Sequence, residues 1–389
     1  MQLADKVSAI YQETFGCKPQ VFASPGRINF IGEHTDYNNG WVLPAAIDKA
    51  VYLAIGIAEG TNGKWISVDF KDTVEVDFSN ITKHKKQWVN YLLGMVQQFK
   101  LRGHSIPAFN VVLASDIPIG AGLSSSAALE CVTGFAINEM HQLGYTLKDI
   151  ALIAQQAENQ FIGLQCGIMD MFASLHGKEG FVMRLDCKTL DFEYFPIPLN
   201  DYKIVLIDTG VKHSLASSEY NVRRLQCEEG VSVLKQFYPE ITSLRDVTIE
   251  MIELHKEKLS PIVLKRCKFV LQENNRVHEV CKLLDKGLLH EAGAILYQSH
   301  EGLKNDYEVS CPELDLLVDL VKDNPYCMGA RMMGGGFGGC TINIIHKDHI
   351  ATLMETIDPI YSAATGKKIQ MYEAITGKGS YEILTDLHS

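Results

Sequence analysis

The sequence predicts an α+β fold in two domains, and three observations carry that expectation. Strand-like and helix-like runs are mixed without the steady strand–helix alternation of a doubly wound sheet. At roughly 150 residues per domain, the 389 residues suffice for two or three domains. Pro196-Ile-Pro198 punctuates the pattern near its middle. The boundary is therefore placed near 198, with an N-terminal domain over 1–198 and a C-terminal domain over 199–389.

Leu3, Val7, Ile10 and Tyr11 recur at helical spacing and predict a helix at the start. Val21-Phe22-Ala23 follows, then a Gly-rich polar stretch, then a strand over Ala50–Ala58. The apolar–polar alternation between Trp65 and Phe78 reads as a hairpin. Residues 109–114 (FNVVLA) read as a strand, while Leu129, Val132, Ala136, Ile137 and Met140 mark one face of a helix. A further helix is predicted over 147–162, and a second hairpin over 181–195. Lys203–Ile207 opens the second half as a strand. From there the chain reads as mainly helical, with apolar periodicity over 262–284, 288–298 and 313–322, until a strand at Thr341–Ile345.

Composition narrows the function. An apolar fraction of 46% and a charged fraction of 21% exclude a disordered chain or a fibrous repeat. Asp and Glu number 47 against 36 Lys and Arg, a net charge of −11 that repels a phosphate backbone and argues against nucleic-acid partners. No apolar stretch approaches the roughly 20 residues that span a bilayer, so no membrane partner is expected. The first sixteen residues carry Asp5 and Glu13 and no long apolar core, which does not read as a signal peptide. The ten cysteines include no CxxC pair, so neither a zinc site nor a redox motif is expected. Reduced thiols in a cytoplasmic protein are the expectation.

Three segments carry chemistry. Ile119-Gly-Ala-Gly-Leu-Ser-Ser-Ser-Ala-Ala128 lies between a strand and a helix. Its small residues let the backbone curl round a ligand, and the helix N-terminus offers free N–H groups to a phosphate. The same segment also reads as a Ser-rich helix cap. It is not a Walker A loop. Pro25–Gly40 (PGRINFIGEHTDYNNG) crowds Arg27, Glu33, His34, Asp36, Tyr37 and Asn38 among glycines, a density that suits a ligand with many hydroxyls. Gly334-Gly-Gly-Phe-Gly-Gly-Cys340 matches G-x-G-x-x-G formally, but a strand rather than a helix follows it, so a dinucleotide site is rejected. A glycine loop lying against another domain's ligand fits better. Asp170, after a Gly-flanked turn, reads as a base or as a cap. Glu158 reads by itself as an exposed helix position, and Ser217–Arg224 as a solvated helix.

These three segments in this order resemble the GHMP small-molecule kinase superfamily, and within it the galactokinase family. GRINFIGEHTDYNNG is similar to the family signature, IGAGLSSSAALE to the superfamily phosphate loop, and MGGGFGGC to the third motif; CGIMD, SSEYNVRR and DYEVSCPELD add matches. The resemblance runs from about residue 20 to 345. It implies a ribosomal-S5-like N-terminal domain, a ferredoxin-like C-terminal domain and an active site between them. The implied reaction transfers phosphate from ATP, with Mg2+, to the C1 hydroxyl of α-D-galactose. Asp170 matches the catalytic base and Arg27 the cation beside the reacting hydroxyl. Glu33, His34, Thr35, Asp36 and Tyr220 match the sugar contacts. Gly120, Ala121, Gly122, Leu123, Ser124, Ser125 and Ser126 match the triphosphate loop, with Ser67 near the nucleotide. Ser126 and Glu158 match the magnesium ligands. Met171 stands where the family often has Gln, and Met333 where Thr or Ser is common. A monomer is expected. A kinase for N-acetylgalactosamine or another galactose-like sugar, and a non-catalytic sugar- and ATP-binding regulator, remain the alternatives.

Overall fold

The computed structural model describes residues 3–118, 120–211 and 216–384, with the backbone alone for 216–218. Ile119 and the side chains of Ser217 and Ser218, quoted in the motifs above, thus lie outside the described residues. The first half runs α1 (Leu3–Phe15), β1 (Gln20–Asn29), β2 (Trp41–Val42), β3 (Pro44–Ile57), β4 (Asn62–Ser67), β5 (Asp72–Asp77), α2 (Gln87–Leu101), β6 (Phe109–Ser115), α3 (Ser125–His141) and α4 (Leu147–Gln156). A π-helical turn over Ala157–Ile162 follows, then α5 (Met169–His176), β7 (Phe181–Asp186) and β8 (Phe192–Pro196). The second half runs β9 (Tyr202–Asp208), α6 (Ala216–Lys235), α7 (Ile249–Leu254), α8 (Pro261–Asp285), α9 (Leu289–Asn305), α10 (Pro312–Lys322), β10 (Cys327–Met332), β11 (Cys340–His346), α11 (Ile350–Thr365), β12 (Gln370–Ala374) and β13 (Tyr381–Glu382).

Three sheets result, in the orders β13-β1-β3-β6-β4-β5, β10-β11-β9-β12 and β2-β7-β8. The first is antiparallel except where β4 runs parallel to β6. Its core is aromatic, with Phe22, Trp65, Phe99, Phe109 and Phe172 fully buried. The same apolar cluster continues through Val277, Leu296, Ile342 and Ile344 of the second half. The two halves therefore share one apolar core. Among the described residues, no helix is long and apolar enough to cross a membrane.

Most expected elements form, and their local causes are visible. Thr146 and Asp149 make a reciprocal capping box that starts α4, and Ser260 caps α8 with Pro261 at its first position. Four features depart from expectation. Strand β1 does not stop at Ala23 but continues through Gly26 to Asn29, with a register shift between Pro25 and Arg27. Strand β10 (CMGARM) falls in a stretch expected to be helical; it lacks the β-branched residues that mark strands. The helix over 147–162 changes to a π turn at Ala157. The boundary at 198 separates the sheets, but the chain's last described residues cross back: Thr376 bridges Ile47, and β13 pairs with β1.

Candidate active site

The bulge in β1 sets the centre of the site. A Cβ on Gly26 would lie 2.7 Å from the Leu123 carbonyl, so only glycine admits the glycine–serine loop this close. Arg27 then donates its backbone N–H to that same carbonyl at 3.1 Å. Its buried guanidinium grips Asp170 in a bidentate pair, Nε to Oδ1 at 2.8 Å and Nη2 to Oδ2 at 3.0 Å, and donates Nη1–H to the Gly122 carbonyl at 2.6 Å. Burial works against the Arg27 charge, but Asp170 and Glu33 outweigh it and raise its pKa. Ser124 caps α3 in a left-handed conformation (φ 58°) and donates its hydroxyl to Asp170 Oδ2. A non-glycine residue in that conformation is a strained placement of the kind found at functional sites. Asp170 sits on the first turn of α5, and its side chain remains about one-third exposed.

One flank of the cleft is built from the 30–40 loop. Glu33 Oε1 accepts from Arg331 Nη1 at 3.0 Å and from the Gly334 backbone N–H at 2.7 Å. Arg331 is fully buried and also donates to the carbonyls of Asn29, Phe30 and Met332. One guanidinium thus fastens the loop to β10. The His34 ring nitrogens both have protein partners, Tyr37 Oη at 2.8 Å and the Gly335 carbonyl at 3.2 Å. A carbonyl only accepts, so Nε2 carries the hydrogen and Nδ1 accepts from Tyr37. Burial lowers the His34 pKa to about 3, which keeps the ring neutral. The chain continues from Tyr37 to Tyr307 (2.7 Å) and Cys227 (3.2 Å). Asp36 Oδ1 accepts its neighbour's N–H. A Cβ on Gly167 would collide with the Asp36 carboxylate, which explains the glycine of CGIMD. Burial, reinforced by the Asp170 charge, pushes the Asp36 pKa up to about 7.

The other flank is richer in buried carboxyl groups without a cation beside them among the described residues. Ser126 on α3 and Glu158 on the π turn both line the cleft. π turns of this kind are frequent at functional sites, because the extra residue redirects one side chain. Glu158 is buried, not an exposed helix position, and Cys166 Sγ–H points to its Oε2 at 3.1 Å. Burial pushes its pKa up to about 7. Glu130, one turn beyond Ser126 on α3, is fully buried. Burial, with Glu158 and Asp170 adding to it, raises its pKa well above the ordinary carboxylate value. Among the described residues the one guanidinium lining the cleft, Arg27, is already held by Asp170.

The resulting cavity measures about 320 Å³ and joins Arg27, Glu33, His34, Asp36, Ser126, Glu158, Asp170, Tyr220 and the 334–336 glycines. A second hollow adjoins it, walled by Gly120, Gly122, Leu123, Ser124, Ser125 and Ser126 and again by Arg27, Gly334 and Gly335. Ala121 is buried beneath that loop. Tyr220 arrives from α6, so the 217–224 run is not simply a solvated helix; Arg223 is buried and donates to the carbonyls of Tyr307 and Glu308. Two expected residues lie elsewhere. Thr35 is fully buried outside the cavity lining, its hydroxyl bonded to the carbonyls of Gly32 and Trp41, because it closes the loop on itself. Ser67, at the end of β4, is buried and lines neither hollow; its hydroxyl lies 3.4 Å from the Phe70 N–H. Met171 is a core residue. Sequence reasoning missed Arg331 and Glu130. The available signal was a lone charge in an apolar element: Arg331 in CMGARM, Glu130 in AALECV.

Comparison with known proteins adds independent findings. The family model for the galactokinase galactose-binding signature matches residues 9–57, and those for the N- and C-terminal parts of GHMP kinases match 90–178 and 281–358. A galactokinase of Chloroflexus aurantiacus is 38% identical over 95% of each chain. One of Thermosipho africanus is 40% identical over 92% of this chain and 99% of its own. The crystal structure of Lactococcus lactis galactokinase complexed with galactose superposes with a TM-score of 0.94 at 33% identity, covering 98% of this chain and 100% of that one. Methanococcus jannaschii mevalonate kinase shares the fold, with a TM-score of 0.65 at 16% identity over 93% of this chain and 99% of its own.

Proposed function

We propose, for a chain that belongs to the galactokinase family, that it transfers the γ-phosphoryl group of ATP to the C1 hydroxyl of α-D-galactose. The observation that carries this reading is the position of the Arg27–Asp170 pair. It lies where the hydroxyl-binding flank meets the glycine–serine loop, so an acceptor on one side faces a phosphate cradle on the other.

In the reaction a bond forms between the C1 oxygen and the γ-phosphorus while the β–γ bridging bond breaks. The proton of the C1 hydroxyl passes to Asp170, and ADP leaves. Phosphoryl transfer runs through a loose transition state, so positioning and charge stabilisation do most of the work. A carboxylate then suffices as a late proton acceptor. Arg27 fixes both Asp170 oxygens and faces the negative charge that gathers on the transferred group. Residues 120–126 offer backbone N–H groups and serine hydroxyls at the α3 N-terminus, which suits the triphosphate. Glu33, Asp36 and Tyr220 are the sugar readers in this account. His34 and Thr35 support it by shaping the loop, since their polar atoms are already bonded to protein.

The donor set also fits magnesium. Ser126 and Glu158 supply hard oxygens, and a cation would favour the ionised form of the Glu158 carboxyl that burial disfavours. Bound there, the ion would neutralise phosphate charge as it builds up. The test is ADP release, measured in a coupled assay against galactose, N-acetylgalactosamine and glucose. Turnover well above the sugar-free rate with galactose, and far less with the other two, is expected. No sugar-dependent ADP release would overturn the reading.

A further inference from the structure

Glu130 is a fully buried acid, and no protein donor meets either of its carboxylate oxygens among the described residues. It sits on α3, four residues after Ser126 and hence on the same helix face. The groups that act on it electrostatically are two more carboxylates, Glu158 and Asp170. A buried acid with no donor costs several kcal/mol of lost solvation. Such groups ordinarily signal a water or an ion at the site. The rest of α3 gives no packing reason for an acid, since Ala127, Ala128, Leu129, Cys131 and Val132 surround it with apolar surface.

We infer that Glu130 is a positioning residue of the cation site, placing a second carboxylate behind Glu158 to hold the water shell and charge of a divalent ion bound by Ser126 and Glu158. This rests on the preceding reading of those two residues as the ion's protein ligands. Geometry favours it in two ways. Ser126 and Glu130 are one helical turn apart on the same face of α3, with Glu130 buried behind the Ser126 that lines the cleft. Tyr91 of α2 stands beside Ser126 and senses both Glu158 and Glu130, which puts all three oxygens in one neighbourhood. Outer carboxylates of this kind typically change metal affinity by 10–100-fold when removed.

The experiment measures Mn2+ binding by electron paramagnetic resonance on the whole protein with saturating ADP and galactose. Glu130→Gln keeps the shape and removes the charge, while Glu130→Met keeps the length and removes polarity. Both should raise the Mn2+ dissociation constant by roughly tenfold or more, with galactose affinity by calorimetry unchanged. A folded variant of either kind that binds Mn2+ as tightly as wild type would overturn the inference and leave Glu130 a structural acid. Glu158→Gln reports separately on the underlying reading. If Glu158→Gln weakens Mn2+ binding while the Glu130 variants bind it normally, the ligand assignment stands and the Glu130 inference alone fails. If Glu158→Gln binds Mn2+ normally, the ligand assignment fails and the inference falls with it.

Discussion

The two flanks of the cleft differ in how far their polar groups are answered by protein partners. On the sugar side, Glu33 is answered by Arg331, the His34 ring has both nitrogens bonded, and Asp36 is the exception, its pKa pushed up to about 7 by burial and the Asp170 charge. On the phosphate side, Glu158 and Glu130 are both buried, which disfavours ionising either, and among the described residues the one guanidinium lining the cleft is committed to Asp170. The difference matches the ligands. A neutral sugar needs hydrogen-bonding groups held in place beforehand, because any that are left unmatched are costly. A cation–phosphate complex brings charge of its own, so buried carboxyl groups there can ionise against it when it binds.

Asp170 joins the two flanks, and removing its charge should have the largest effect. Asp170→Asn is expected to lower kcat by about 10²-fold or more, while calorimetry finds galactose still bound. Turnover within a few-fold of wild type would dissolve the junction. Next comes the balanced flank itself. Arg331→Met strands Glu33 in the interior, at a cost on the order of 3–5 kcal/mol. Denaturant unfolding should record that loss, and galactose affinity should fall with it. Asp36→Ala probes discrimination at the same wall. It should reduce kcat/KM for galactose by roughly 10²-fold and narrow the advantage over glucose, read from paired progress curves.

The smallest expected effect is one of pH. The Asp36 pKa rises from the ordinary 3.8 to about 7 in the folded protein. Between those values the native state holds a proton that the unfolded state has released, so stability falls as pH rises from about 4 to 7. Asp36→Asn should remove that penalty and raise the Tm of the ligand-free protein at pH 8 by on the order of a few °C. At pH 4 the two proteins should melt together, as differential scanning calorimetry would show.

Much of this was readable in the sequence, but unevenly. The helices over 262–284 and 313–322 follow from apolar periodicity, and the residues of the sugar-side loop lie within sixteen positions of one another. What escaped was whatever depends on contacts between distant segments. Strand β1 runs through Pro25 and Gly26 because β3 pairs with it and Leu123 packs there, which no local propensity encodes. Arg331 meets Glu33 across 298 positions, and β13 joins β1 from the far end of the chain. The π turn at Glu158 has no periodic signature, since it consists of one residue too many in an ordinary helix. Thr35 is the reverse case: its place in the signature suggested contact with the sugar, whereas its hydroxyl is bonded to the loop's own carbonyls and it lies outside the cavity lining.

The division of the cleft into a ready-made flank and a charge-poised flank can be tested in one titration series. Galactose is added to the nucleotide-free protein by calorimetry, first in a metal chelator and then in excess magnesium. If the sugar flank is complete in itself, galactose binds one per chain with the same affinity in both. If galactose binds only when magnesium is present, the two flanks are one coupled site and the account is wrong.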